Sequence, residues 1–247
     1  ADSQVQSDDS WDVIVLGAGA GGMTAAAVAA NEGLKTLVIE KTGFVGGTTA
    51  FSGGMVWVPN NLKMASAGRD DSIESASAYL DATSGPGGDL RRKYLQHAPE
   101  AIDYLDRNTS VHLVPLAFYP DYYPDEPGAT TGGRVMEPLP FDANILGRAF
   151  NTLRAPLPEF TLLGGMMVAR PDIVHFRSVF KSLRSALRVG KLVLSDAAER
   201  IRYHRGTYLV LGNALAARLL KSLLDLGVTI RRNTRVRRLV MQDGRVA

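Results

Sequence analysis

Two short apolar runs, Val13-Ile14-Val15-Leu16 and Leu37-Val38-Ile39, show no polar alternation, so each predicts a parallel strand buried on both faces. Between them Met23 to Ala30 is a run of small residues suited to a helix, and Gly33 closes it. Farther on, Ser72 to Ala82 and Asp89 to Asn108 carry helical spacing, with Ser72 and Asp89 as N-caps. In the second segment Tyr94, Leu95, Ala98, Ile102 and Leu105 form one apolar stripe, and Pro99 is expected to bend or divide it. Val111, Leu113 and Leu116 alternate as a short strand, and Asp172 to Arg188 has helical spacing. Ala214 to Leu226 predicts an amphipathic helix that buries Leu215, Leu219, Leu220 and Leu223 and exposes Arg218, Lys221 and Asp225. A strand at Val228-Thr229-Ile230 follows. Val236 to Met241 and the residues from Arg245 then flank Asp243-Gly244, which reads as a hairpin turn.

Strands alternating with helices point to an α/β fold, and composition narrows what it does. A net charge of +3, spread evenly, gives no footprint for nucleic acid. The arginines at 231, 232, 235, 237 and 238 cluster, but in a strand-like stretch that reads as a solvated face. The chain has no cysteine, which removes disulfides, thiolate metal sites and a redox dithiol from this segment. His175 and His204 have no second ligand type at metal spacing, so no metal site is expected. No run approaches the ~18 apolar residues of a membrane span. Ala1 to Ser10 is polar and acidic, the composition of a flexible tail, and a cytoplasmic location is expected.

Candidate chemistry begins where the first strand ends. Gly17-Ala18-Gly19-Ala20-Gly21-Gly22 is a G-x-G-x-x-G fingerprint between a strand and a helix, the context that makes it informative. Gly17 makes the tight turn, Gly19 lets backbone approach a pyrophosphate, and Gly22 lets helix and strand pack closely. The free N–H groups at Ala20 and Gly21 open the helix toward the phosphates. Glu40 ends the second strand, placed to accept from a ribose diol, and Lys41 follows it. A nicotinamide-binding unit would continue into its next helix. Here a second glycine-rich run, Thr42 to Gly54, follows instead. Its Gly46, Gly47, Gly53 and Gly54 can run against a ligand, and Thr48, Thr49 and Ser52 can bond phosphate or ribityl oxygens.

The glycine-rich opening, the Glu40-Lys41 pair and the Gly-Gly-Thr-x-Ala-x-Ser-Gly-Gly block at 46–54 resemble the family of fumarate reductase flavoproteins and 3-ketosteroid dehydrogenases. That resemblance implies a Rossmann-like FAD-binding domain over 11–247, with a parallel sheet plus β-meander. It also implies that this is the N-terminal part of a two-domain flavoprotein, with a capping and catalytic domain beyond 247. Relatives that tether FAD do so through a histidine in this block. None occurs here before His97, so FAD is expected to be held non-covalently. The backbone near Val236 would meet the adenine.

The resemblance extends to 118–147, read as a long irregular stretch with tyrosines among prolines and acids. Its Asp121-Tyr122-Tyr123 step, Gly133-Arg134 and Pro-x-x-Phe-Asp at 138–142 are closest to the 3-ketosteroid dehydrogenases. Tyr122 is then the expected catalytic-site residue, supporting a second tyrosine beyond Ala247 that takes a proton while flavin takes a hydride. A free tyrosine ionises near pH ~10, so such a base needs a hydrogen-bonding neighbour. The expected partners are a ketone, plausibly a 3-ketosteroid, an external electron acceptor and the C-terminal part of the enzyme. Two alternatives remain open. One is a fumarate-reductase-like reductase of an activated alkene, for which Arg134 alone is a poor carboxylate clamp. The other is a non-catalytic FAD-binding or electron-transfer module.

Overall fold

The computed structural model describes residues 10–242 and 245–246. The expected tail up to residue 9 and the Asp243-Gly244 turn lie outside the described residues. The opening unit is β1 (Val13–Leu16), α1 (Ala20–Asn31) and β2 (Thr36–Ile39). β1 and β2 pair in parallel, with Val13 opposite Thr36 and Leu16 opposite Ile39. Gly33, at φ +84°, closes α1 as expected, and the Leu34 N–H returns to the Ala29 carbonyl.

The middle of the chain carries β3 (Val56–Trp57), α2 (Ile73–Ser84), α3 (Asp89–Asn108), β4 (Leu113–Pro115), β5 (Val135–Pro138) and β6 (Phe141–Asp142). Then come α4 (Ile173–Arg177), α5 (Leu183–Tyr203), β7 (Tyr208–Leu209) and α6 (Leu211–Asp225). The chain returns through β8 (Thr229–Arg231), β9 (Met241–Gln242) and β10 (Arg245–Val246). β8 joins β2 in parallel, giving the order β1-β2-β8, while β3, β5 and β4 form an antiparallel sheet. β9 and β10 pair antiparallel, as the expected hairpin requires.

α6 is the axis of the core. Leu215, Leu219, Leu220 and Leu223 are buried, but so are Ala214, Ala216, Ala217 and Ser222. Arg218, expected on a solvent face, is buried as well. Its guanidinium donates to the carbonyls of Leu139, Ser110 and Pro140 and lies over the Phe141 ring. Three carbonyl acceptors replace water, which lets a charged residue occupy a helix packed all round.

Several expectations shift for physical reasons. β1 is not buried on both faces: Ile14 and Leu16 are 46% and 52% exposed, because β1 is an edge strand with α1 on one side only. Ser72 caps α2 by accepting the Ser75 N–H, whereas Gly88 takes the cap of α3 and Asp89 its first turn. α3 runs unbroken through Pro99. The segment 118–147 is irregular only to Arg134, after which β5, β6 and a 3₁₀ stretch from Ala143 order it. The helix expected over Asp172 to Arg188 is two helices, because Ser182 caps a new one by accepting the Ser185 N–H. Among the clustered arginines only Arg231 lies in a strand.

Candidate cofactor and substrate site

The fingerprint folds as a cradle. Gly17 takes φ +99°, a conformation costly for residues with a Cβ, and its N–H donates to the Ile39 carbonyl at 2.8 Å. A Cβ on Gly22 would lie 1.9 Å from the Gly17 carbonyl oxygen, so α1 can approach β1 only over glycine. Gly19 is the N-cap of α1 and offers no side-chain cap. Around the Cβ positions of Gly19 and Gly21 there is no heavy atom within 4 Å. The helix N-terminus therefore faces open space with donors available, which suits a phosphate.

The second glycine run packs onto the first. The Gly46 N–H donates to the Ala18 carbonyl at 2.7 Å, Gly47 sits against the Gly19 Cα, and Thr49 Oγ1 accepts the Ala20 N–H at 3.1 Å. Thr48 is exposed beside them. Ser52 turns its hydroxyl inward, donating to the Thr49 carbonyl and accepting the Gly54 N–H, so it braces the loop that carries Gly53.

Glu40 is buried. Its two carboxylate oxygens accept the Ala18 N–H at 2.9 Å and the Thr42 N–H and hydroxyl at 2.9 and 3.0 Å. Burial alone would raise its pKa. The donors from Ala18 and Thr42, with the charge of Arg154, outweigh that and hold it below the usual carboxylate value. An ionised Glu40 thus binds the glycine turn to the end of β2, leaving lone pairs toward a cleft of about 440 Å³. That cleft is lined by Gly17, Glu40, Lys41 and Val236, residues scattered along the chain, together with Arg235, Arg237 and Arg238. Three of the five clustered arginines thereby lie at the cleft, while Arg231 stays in β8.

A second cleft, of about 290 Å³, is lined by Met55, Trp57, Tyr79, Tyr119, Asp121 and Tyr122 among others. Met55 follows Gly53 and Gly54 directly, so the braced glycine loop leads into its wall. Tyr122 stands on the lip, 84% exposed, and is not in the dinucleotide cleft. Its neighbour Asp121 is buried and accepts from Trp57 Nε1 at 2.7 Å, Arg134 at 2.8 Å and the Thr130 N–H at 3.0 Å. Arg134 is fully enclosed, forks onto Asp71 at 2.7 and 2.9 Å, and lies near the rings of Trp57 and Tyr79. Burial would lower its pKa, but the Asp71 and Asp121 carboxylates hold it above the ordinary value.

Two contributors had no sequence signal of their own. A Cβ on Gly212 would lie 1.9 Å from the Thr49 carbonyl, and one on Gly54 would lie 2.6 Å from the Gly212 nitrogen. The start of α6 is therefore wedged under the second glycine run, with the Gly212 N–H donating to the Ser52 carbonyl at 3.0 Å. Asp121 is the other in its bracing role: the sequence offered it only as part of the Asp121-Tyr122-Tyr123 step, and its carboxylate acts on Trp57, Arg134 and Thr130.

Residues 12–247 match the family described as FAD binding domain. The chain belongs to that family, and FAD is its cofactor. The glycine cradle, the open N-terminus of α1 and the Glu40 cleft fit such a dinucleotide. Among relatives, the chain is 38% identical over 94% of its length to 4-oxocyclohex-2-ene-1-carboxylate 5-dehydrogenase of Sinomonas cyclohexanicum, covering 39% of that protein. It is 37% identical over 96% of its length to 3-oxosteroid 1-dehydrogenase of Mycolicibacterium smegmatis, covering 41%. It also matches the structure of 3-ketosteroid delta1-dehydrogenase from Sterolibacterium denitrificans in complex with 1,4-androstadiene-3,17-dione. That match has TM-score 0.80 and 35% identity, over 96% of this chain and 45% of that one. The chain thus spans about two-fifths of the length of the curated relatives it matches.

Proposed function

We propose that this FAD binding domain serves an enzyme that desaturates the carbon–carbon bond next to a ketone, with a 3-ketosteroid or a similar cyclic ketone as substrate. The observation that carries the reading is the aromatic cleft of Tyr119, Trp57 and Tyr122, whose wall continues the glycine loop of the cofactor site. When bound, FAD supplies the two-electron acceptor for the broken C–H bond. The chain's own residues have separate roles. Gly19, Gly21 and Thr48 hold phosphate oxygens, while the Ala20 N–H, expected free, is held by Thr49 Oγ1; Glu40 takes the adenosine ribose, and Val236 with Lys41 borders the adenine. Gly46, Gly47, Thr49, Ser52, Gly53 and Gly54 shape the wall toward the ring system. No histidine lies in the second glycine run, so FAD is held there without a covalent tether. Acid precipitation should then leave the flavin in the supernatant, and flavin retained on the pellet would exclude this mode.

Segment 118–147 forms the substrate side of a single FAD-binding unit over 11–247. Tyr122 Oη donates a hydrogen bond to the group that takes the substrate proton. Asp121 fixes the backbone beside it through Trp57, Arg134 and Thr130. A reductase of carboxylate-bearing alkenes would draw its substrate-binding arginines from the rest of the enzyme, since the Arg134 guanidinium is already held by Asp71 and Asp121.

The test is Tyr122→Phe in the full-length enzyme, with Tyr123→Phe as control, following ketone desaturation with an artificial acceptor alongside the flavin spectrum. Tyr122→Phe should lower kcat by roughly 10²-fold at unchanged FAD content. Wild-type rates in both variants would reduce Tyr122 to a packing residue.

A further inference from the structure

Enclosed cations in this fold come with answering groups: Arg134 has two aspartates and Arg218 three carbonyls. Arg154 and Arg205 depart from that pattern. Both are half-buried, and neither forms an ion pair among the described residues. The Arg154 side chain makes one hydrogen bond there, to Thr42 Oγ1 at 3.1 Å, and its Nε is buried without a partner. Its charge reaches Glu40, whose oxygens are taken by Ala18 and Thr42. Arg205 donates to the Leu153 carbonyl at 3.1 Å and to Asn213 Oδ1 at 3.4 Å. Burial pushes its pKa down to about 10, with no carboxylate to raise it. A guanidinium drawn out of water among neutral partners is costly, and an anion that reached it would relieve that cost.

Both guanidiniums line one cleft of about 410 Å³. The bond from Arg205 to Leu153 brings it to the residue before Arg154. Phe44, Phe51, Phe150 and Tyr203 line the same cleft, and no acidic residue does. Arg154 lies over the Phe51 and Phe44 rings, 5.4 and 5.9 Å from their centroids, and Arg205 lies over Phe150 at 4.1 Å. Tyr203 meets Phe150 edge-on at 5.5 Å. The rings hold the cations in place, yet a cation–π contact neutralises no charge. The cleft shares no lining residue with the dinucleotide cleft or with the cleft of Tyr122.

We infer that this third cleft binds a small aromatic carboxylate, its oxygens between Arg154 and Arg205 and its ring among the phenylalanines. A guanidinium presents paired N–H donors that match the two oxygens of a carboxylate. Aromatic walls favour an anion with a planar apolar body over a bare inorganic one. The volume is that of a small-molecule site. The inference rests on this cleft alone and is independent of the substrate reading.

The experiment is calorimetric titration of the full-length, flavin-loaded enzyme with benzoate, benzamide and inorganic phosphate. Benzoate should bind at one site per chain with Kd below ~1 mM and release no flavin. Benzamide keeps the ring and loses the charge, and should bind at least ~10-fold more weakly. Phosphate keeps the charge and loses the ring, and should also bind at least ~10-fold more weakly. Arg154→Gln and Arg205→Gln should each weaken benzoate at least ~10-fold. Arg184→Gln on α5, the same charge change at an exposed position, should leave it near wild type. The flavin spectrum and Tm report folding, and if one of the two cleft variants fails to fold the other decides. Absence of saturable benzoate binding would overturn the proposal and assign the two arginines to a carboxylate from the rest of the enzyme. Unchanged benzoate affinity in a folded cleft variant would place the ligand in another cleft. Equal binding of phosphate would remove the rings from the site, and release of flavin would make the cleft part of the cofactor site.

Discussion

A methyl group added at Gly19 and one added at Gly22 should fail in different ways. At Gly22 it would collide with the Gly17 carbonyl, which is backbone and cannot swing aside. Gly22→Ala should therefore cost roughly 3 kcal/mol of stability in urea melts, the upper end for overpacking. Gly19 already has the extended backbone of an N-cap (φ −86°, ψ −176°) and open space about it, so Gly19→Ala should melt within ~0.5 kcal/mol of wild type. The same methyl would stand where a pyrophosphate approaches, and FAD affinity should fall at least ~10-fold in a flavin-fluorescence titration. Normal affinity would remove Gly19 from the phosphate site. Glu40 adds a pH signature. Its folded pKa is depressed, so its contribution is present above the unfolded value, near pH ~4.5, and is lost as pH falls through the folded value. The stability gap between wild type and Glu40→Gln should shrink from pH 7 to acid, and a gap constant with pH would mean the carboxylate carries no net linkage. At this scale the fingerprint was legible because Gly17, Gly19 and Gly22 act within one turn of chain. The Ala18 donor to Glu40 was not, since it reaches the carboxylate only across the βαβ fold, whereas Thr42 donates from two residues away.

Between elements, buried cations decide what stays together. Arg134 joins α2, through Asp71 and Ser75 at its start, to the Asp121 loop and β3. Arg134→Met would leave two carboxylates enclosed and unpaired, and should cost about 3–5 kcal/mol by denaturant unfolding. The lip carrying Tyr122 should become protease-sensitive in the same variant, whereas a loss under ~1 kcal/mol would show that water reaches the two acids. Arg218 plays the equivalent part between α6, β6 and the turn at Ser110. The periodicity of α6 was correct for its leucines and misleading for its arginine. Helical spacing assigns charge to solvent, and only the fold supplies three carbonyls at the end of that side chain. α5 shows the complementary failure: a stripe of leucines, Leu183, Leu187 and Leu194, faces outward, and spacing alone has no direction.

Across the molecule, FAD touches residues from 17 to 236 in the proposed arrangement, so its binding should stabilise the fold as a whole. At about a hundredfold excess over Kd, saturating FAD should raise the Tm of the full-length apoprotein by roughly 5–10 °C. A shift confined to part of the transition would mean that the glycine cradle melts independently of the aromatic cleft. What the sequence determined by itself was the chemistry of short range: the βαβ opening, the G-x-G-x-x-G turn, the Ser72 cap and the second glycine run. Each depends on backbone conformations that only certain residues adopt, within a few positions of one another. Tertiary structure alone decided which distant groups meet. It placed Val236 and the arginines beside Glu40, wedged Gly212 under Thr49, closed Arg134 between two aspartates, left Ile14 and Leu16 half exposed and aimed the stripe of α5 outward. The physical reason is that burial and pairing belong to the arrangement of elements in space, whereas the sequence pattern specifies only what each element can offer.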